Sequence, residues 1–193
     1  MFAPRDPALE DVRPDEALMR AVQGGDSRAF EGIYDRYHRL LFSFFVRLTG
    51  DRPGSEDLVQ DVFVRVLRYR ASYDPGRPFK AWIYQLARNA ASDRRQSRAA
   101  HHGADALPDD VRDPGPTPLA RVVGDERRAL VERGLGALPD EAREAIVLSR
   151  VEGLSHREVG RILGCTEAAA RVRVFRAVQQ LRSAVERLQR PRG

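Results

Sequence analysis

Apolar residues recur at three- and four-residue intervals along most of this chain, and no stretch alternates with period two over a useful length. The pattern predicts helices throughout. A first helix opens near Asp15, which is placed to cap it, and runs to about Gln23. A second starts at Asp26 or Ser27 and carries Phe30, Ile33, Tyr34, Tyr37, Leu40, Leu41, Phe44, Phe45 and Leu48 at helical spacing. Gly50 to Gly54 reads as a turn, and Ser55 begins a third helix that reaches about Tyr69. Ala71 to Phe79, with Pro75, Gly76 and Pro78, is an irregular connection; a fourth helix starts near Lys80 and extends to about Arg95. Helical periodicity then stops between about Gln96 and Val122, where Pro108, Pro114, Pro116 and Pro118 fall with Gly103 and Gly115. It resumes with a lead helix from Asp125, a turn at Leu138-Pro139, a helix over Asp140 to Val151 and two further helices. The expectation is an all-α chain with a flexible tail (1–14), a helical domain (15–96), a flexible Pro/Asp-rich linker (97–123) and a second helical domain (124–190).

The sharpest local signal lies at 154–177. Ser155 is followed three residues later by Glu158, the pattern of a capping box. Val159, Ile162 and Leu163 give that helix a buried side, Gly164 fits its C-terminal cap, and Thr166 can cap the next helix. There Ala170, Val174, Val178, Leu181, Val185 and Leu188 form one apolar stripe. Ala169, Val172, Arg173, Arg176 and Gln180 lie roughly opposite, with Ala168, Arg171 and Phe175 at the margins. Two helices joined by a tight turn, the second studded with arginine, are the layout of a helix-turn-helix. Small residues at its start let the backbone approach base pairs, and the arginines suit phosphates and base edges. A run of charge is also compatible with a plain solvated face. Its position directly after a capped turn favours DNA.

Two more segments stand out. On the helix from Ser55 to Tyr69, Leu58, Val59, Val62, Phe63, Val66 and Leu67 make a wide core face. Asp57, Gln60, Asp61, Val64, Arg65 and Arg68 form the opposite stripe. An apolar Val64 amid acids and amides fits a protein-docking spot, or an isolated surface valine. Around Tyr73 to Arg95, aromatic residues (Tyr73, Phe79, Trp82, Tyr84) interleave with Arg70, Arg77, Lys80 and Arg88. Gln85, Arg88, Asn89, Ser92 and Arg95 share a polar helix face, while Ile83, Leu86 and Ala90 face inward. Ring faces beside cations are what single-stranded nucleic acid needs, although Trp82 taken alone fits a core position as well.

Charge adds modest support: Lys+Arg number 33 against 28 Asp+Glu, for a net +5. Lys80 is the only lysine, and arginine's planar fork binds phosphate and guanine bidentately. Within the break the sign reverses, with Asp105, Asp109, Asp110 and Asp113 facing only Arg112 from His101 to Leu119. The single Cys165 excludes an intrachain disulfide and fits a small apolar turn residue. His38, His101, His102 and His156 have no ligand-like spacing, and there is neither a glycine-rich phosphate loop nor a G-x-S-x-G elbow. The reading is therefore no catalytic residues, no metal and no cofactor. The acid-rich start does not resemble a signal peptide, no apolar run reaches the length of a membrane span, and the expected location is cytoplasmic, with no appended sensor domain.

Taken together these residues resemble the small two-domain extracytoplasmic-function sigma factors of bacterial RNA polymerase, over about 15–96 and 124–188. Asp57-Leu58-Val59-Gln60-Asp61-Val62-Phe63 is similar to the helix by which such factors dock on the clamp coiled coil of the β′ subunit. Phe79-Lys80-Ala81-Trp82-Ile83-Tyr84-Gln85-Leu86-Ala87-Arg88-Asn89 with Asp93-Arg94-Arg95 is similar to the segment that melts and reads the −10 element. Leu138-Pro139 through Ser155, with Glu158-Val159 and Arg171 to Ala177, is similar to the domain that reads the −35 element. The resemblance implies polymerase contacts (β′ clamp and β subunit) through Asp57, Gln60, Asp61, Val64 and Arg65. It implies −10 contacts through Tyr73, Lys80, Trp82, Gln85, Arg88, Asn89, Ser92 and Arg95. The implied −35 contacts are Ser155, Thr166, Ala168, Ala169, Arg171, Val172, Arg173, Phe175 and Arg176. Promoter DNA is then met both double-stranded and melted, an anti-sigma factor is an implied partner, and the acidic linker would thread the polymerase toward the RNA exit path. One departure is plain. The family's Thr-Val then Lys/Arg-Ser-Arg is here Ala169, Ala170, Arg171, Val172, Arg173, so a serine hydroxyl is replaced by an isopropyl group that can touch a thymine methyl but not hydrogen-bond.

Two other function classes compete. An autonomous helix-turn-helix regulator would bind duplex DNA alone through two-fold half-sites, its N-terminal domain sensing a ligand or dimerising. A helical hydrolase with an incidental basic tail would need paired acids or metal ligands that the sequence does not offer.

Overall fold

The computed structural model describes residues 12–102 and 122–189, and all regular structure among them is helical. An N-terminal unit is formed by α1 (Asp15–Gln23), α2 (Ser27–Thr49), α3 (Arg52–Tyr69) and α4 (Phe79–His102). A C-terminal unit is formed by α5 (Val122–Gly136), α6 (Asp140–Ile146), α7 (His156–Leu163) and α8 (Glu167–Gln189). The expected acidic linker carboxylates at 105, 109, 110 and 113, and the tail before residue 12, lie outside the described residues.

Most helix ends follow from local chemistry. Asp26 accepts hydrogen bonds from the amides of Arg28 and Ala29, and Gly50, at φ +72°, closes α2 in the left-handed region. The first helix departs from expectation: Pro14 occupies its cap position, and the Asp15 carboxylate instead takes the Arg36 guanidinium and the Tyr37 hydroxyl across to α2. The third helix begins three residues before Ser55. Asp51 caps it by accepting from the Gly54 amide, and Pro53 sits in the first turn, where its missing N–H costs nothing. Ser55 is buried there, donating to the Asp51 carbonyl at 2.6 Å. The fourth helix continues past Arg95 into the stretch expected to be linker, and α5 likewise starts before Asp125.

The core of the N-terminal unit gathers Leu18, Met19, Ile33, Leu41, Phe44, Phe45, Val59, Val62, Phe79, Ile83 and Tyr84, all fully or almost fully buried. Leu67, expected on the core face of α3, is 39% exposed. In the C-terminal unit Leu148, Val159, Ile162, Ala170, Val174, Ala177 and Ala184 are buried, so the inner stripe of α8 is narrower than its valines and leucines suggest and uses alanines for close approach.

Helix α6 does not simply stop. Val147–Val151 winds on as a π-helical turn, with the Glu152 amide donating to the Val147 carbonyl at 3.0 Å, and Gly153 at φ +69° reverses the chain. That reversal carries Glu152 against the N-terminal unit. Arg143 ties the same region together: Nε donates to the Leu135 carbonyl, and its terminal nitrogens donate to Leu48, Gly136 and Leu138, all at 2.8–2.9 Å. One of those four acceptors belongs to α2, so the clasp spans both units.

Candidate nucleic-acid interface

The α7–α8 pair presents the more open of two cationic faces. Ser155 accepts from the Glu158 amide, and the Glu158 carboxylate receives both the Ser155 amide at 2.8 Å and its hydroxyl at 2.6 Å. Gly164 takes the left-handed conformation at φ +67°, and the Ala169 amide donates to the Thr166 hydroxyl at 3.2 Å. Ser155 and Thr166 therefore hold helix starts while remaining exposed at the surface. Ala168, Arg171, Val172, Arg173, Phe175 and Arg176 are exposed and Ala169 is half-buried. Phe175 is 63% exposed and Val172 47%, an unusual outlay of apolar surface between arginines. Arg171 pairs with Glu167 at 3.5 Å within the helix. One residue that fixes this geometry escaped sequence reasoning. A Cβ on Gly160 would sit 2.8 Å from the Cys165 carbonyl oxygen, so the turn lies directly on the backbone of α7. A glycine inside an otherwise apolar-periodic helix was the available signal.

The stripe on α3 is partly engaged with α4. Arg94 reaches Asp57 at 3.3 Å, and Arg65 bridges Asp61 at 2.9 Å and Asp93 at 2.8 Å. Gln60 and Val64 face solvent, Val64 at 52% exposure. The expected docking residues thus share one face, with their acids oriented by arginines.

The aromatic-basic segment is arranged differently from its expectation. Tyr73 is buried, its hydroxyl donating to the Arg77 carbonyl at 2.7 Å, and burial raises its pKa to about 12. Its ring lies 5.0 Å from that of Trp82, and Trp82 lies 5.8 Å from Phe79. Tyr73 is therefore a support for Trp82 and offers no ring face of its own. Trp82 is half-buried beside Gln85 in a cleft of about 160 Å³ that Glu158, Arg161 and Ile162 of α7 complete. Asn89 is exposed and accepts from the Gln85 amide at 3.2 Å, and Ser92 is half-buried.

The cations of this face already have partners. Arg88 donates to Glu144 at 3.1 Å and Arg95 to Asp140 at 2.7 Å. The Tyr84 hydroxyl donates to Glu152, near which Lys80 and Arg47 also lie, and Arg47 pairs with Glu132 at 3.1 Å. Glu144 and Glu152 are only 8% and 6% exposed. Burial pushes both carboxyls above the usual carboxylate range, against the pull of Arg88 on Glu144 and of the Tyr84 hydroxyl on Glu152. Sequence reasoning did not find these carboxylates, because their partners lie more than fifty residues away in the chain.

Among the described residues no cluster of three or more His, Cys, Asp or Glu could hold a metal ion, and no helix is long and apolar enough to cross a membrane. The fold and these faces define an all-helical protein of two units, each with a cationic helix surface. The profile of Sigma-70 region 2 matches residues 33–101, and that of Sigma-70 region 4 matches 128–181. The RNA polymerase sigma factor CarQ of Myxococcus xanthus is 34% identical over 89% of this chain and 97% of its own length. The ECF RNA polymerase sigma-E factor of Escherichia coli K12 is 30% identical over 93% and 98%. Among solved structures, CnrH in complex with the cytosolic domain of CnrY is 26% identical with a TM-score of 0.67, covering 89% of this chain and 97% of that one. The sigma factor RpoE bound to the anti-sigma factor NepR from Bartonella quintana shares the fold, with a TM-score of 0.69 at 23% identity over 83% and 98%. The chain belongs to the extracytoplasmic-function RNA polymerase sigma factors, the non-catalytic subunits that bind core polymerase and direct promoter-specific initiation. Membership removes both the autonomous regulator and the hydrolase from consideration.

Proposed function

We propose that the labour of initiation is divided among three surfaces of this chain. The α3 stripe of Asp57, Gln60, Asp61, Val64 and Arg65 docks on the β′ clamp. The polar face of α4 (Lys80, Trp82, Gln85, Arg88, Asn89, Ser92 and Arg95) engages the melted −10 element, with Tyr73 buttressing Trp82 from beneath. The α7–α8 pair acts as a helix-turn-helix whose Arg171, Val172, Arg173, Phe175 and Arg176 enter the −35 major groove while Ser155 and Thr166 fix the helix starts. The observation that carries the reading is the exposed arginine face of α8, with Phe175 and Val172 standing out between the cations immediately after a doubly capped turn. Arginine supplies base-edge and phosphate contacts, and the two apolar side chains suit thymine methyls. The factor works in the cytoplasm and is held in check by an anti-sigma factor, a reading supported by the partners of CnrH and RpoE in their complexes.

Reconstitution with core polymerase tests the division. Arg176→Ala should weaken binding of the holoenzyme to a promoter fragment by about tenfold to a hundredfold, equivalent to ~1–3 kcal/mol. Its affinity for core polymerase should not change. Asp61→Ala should do the reverse. A folded variant that lost both activities would refute the assignment.

A further inference from the structure

We infer that the C-terminal half of α8 is a second DNA-binding element: Gln180, Ser183 and Arg187 carry on from Arg173 and Arg176 as a rail that grips the sugar-phosphate backbone of the duplex flanking the −35 element, whatever its sequence. The inference rests on the assignment of the first half of α8 to the −35 groove, and extends it to a surface that takes no part in reading bases.

Helix α8 runs from Glu167 to Gln189, which is longer than a groove can hold. At 1.5 Å per residue, Ala168 to Arg176 rises about 12 Å, matching the ~12 Å width of the major groove. Arg187 lies about 16 Å further on, past the groove's edge, where DNA presents phosphates. The side chains there suit them. Arg173, Arg176, Gln180, Ser183 and Arg187 follow one another at intervals of three and four, and so form one stripe along the helix. All five are exposed, and the stripe holds no carboxylate. Among the described residues its arginines form no ion pair, whereas Arg171, on another side of the helix, is matched by Glu167. Glu186, the one acid between Ala177 and Gln189, sits about 100° round from Arg187. The stripe is also fixed in place. Ala177 and Ala184 are buried on the inner side, and a Cβ on Gly134 of α5 would meet Val185 at 2.8 Å and Leu181 at 2.9 Å. Helix α5 therefore packs directly on this half of α8, which is no solvated overhang. Guanidinium, amide and hydroxyl donors all serve phosphate oxygens, and such contacts position a duplex without specifying its sequence.

The test uses holoenzyme reconstituted from core polymerase and the full chain, and the duplex that wild type selects from a pool randomised over the −35 element. Far-ultraviolet dichroism confirms the fold of each variant. Between about 50 and 200 mM salt the affinity of Arg187→Ala should fall about threefold less than that of wild type, a salt slope lower by about one. The variant should still select the wild-type sequence from the pool. Arg187→Lys should restore the slope, because a phosphate accepts a point charge as well as a planar fork. Arg182→Ala, an equal change of charge about 140° round the helix from Arg187, should keep the wild-type slope. Replacing flanking phosphates one at a time by neutral methylphosphonates should find a position that weakens wild type and leaves Arg187→Ala unaffected. A wild-type slope for Arg187→Ala overturns the rail, and so does an equal drop for Arg182→Ala, which assigns the effect to net charge. Altered sequence selection by Arg187→Ala overturns it as well, since the residue then reads bases. If Arg176→Ala loses affinity while Arg187→Ala matches wild type, the rail falls and the −35 assignment stands. If Arg176→Ala also matches wild type, the −35 assignment falls and the rail with it.

Discussion

The two cationic helix faces of this protein have similar composition and opposite circumstances. On α4, Arg88 and Arg95 are neutralised by carboxylates from the other unit, and Trp82 lies half-buried under α7. On α8, Arg173, Arg176, Val172 and Phe175 face solvent. The difference teaches that arginine content alone does not define an available binding surface. What the rest of the chain brings to those arginines decides it, and here the partner is built in. A buried ion pair contributes little net stability compared with apolar packing, but removing one member leaves an uncompensated charge. Such contacts suit an interface that must be specific and must also open.

The largest effect on this contrast should come from Arg143. Its guanidinium satisfies four carbonyls on two units, and burial holds its pKa below the ordinary arginine value. Arg143→Ala removes four hydrogen bonds at once and should lower stability in chemical denaturation by about 3 kcal/mol. Because the Leu48 link is lost with it, Trp82 should become more quenchable by acrylamide at concentrations of denaturant where the wild type is folded. Arg143→Lys should recover only part of the loss, since one ammonium cannot span four acceptors.

Gly160 offers the complementary perturbation, at the turn between α7 and α8. A methyl group there meets the Cys165 carbonyl oxygen at 2.8 Å and the Thr166 carbonyl oxygen at 3.2 Å, and these are backbone atoms that cannot swing away. Gly160→Ala should cost about 1–3 kcal/mol and tilt α7 against α8. Duplex binding should fall while binding of a single strand is retained. Loss of both would mean that the two faces are mechanically coupled through α7.

The two faces also differ in how much of them the chain announces in advance. The caps at Ser155, Gly164 and Thr166 and the outward stripe of α8 were legible, because they depend on residues within one or two turns of each other. The exposed Val64 on α3 was legible for the same reason. Tyr73, expected among the −10 contacts, is buried: interleaving of aromatic and basic residues says that rings are present, while packing on Phe79 and Trp82 decides which ring stays accessible. The start of α3 was read late because Pro53 looks like a breaker, although the first turn tolerates it. Arg143, Glu144 and Glu152 carried no local signature at all. Their roles come from contacts across the whole length of the chain, and a buried glutamate has the same periodicity as an exposed one.

The smallest effects separate the faces by pH. Burial raises the pKa of Glu144 and Glu152, so their charged forms cost folding stability at neutral pH, and that cost is relieved as pH falls into their raised range. The groups facing them are Arg88, Arg95 and Asp140 for Glu144, and Tyr84, Lys80 and Arg47 for Glu152. Asp51 has the opposite sign. The Gly54 amide lowers its pKa, so its cap on α3 contributes fully above the ordinary aspartate value and is lost as pH falls through the depressed one. Mild acid should therefore stabilise the fold slightly in chemical denaturation before stronger acid weakens α3. A Glu144→Gln, Glu152→Gln double variant, whose amides mimic the protonated acids, should lose the first transition only. Asp51→Ala should lose about 1 kcal/mol of stability and flatten the second transition, with strand and duplex binding both unchanged.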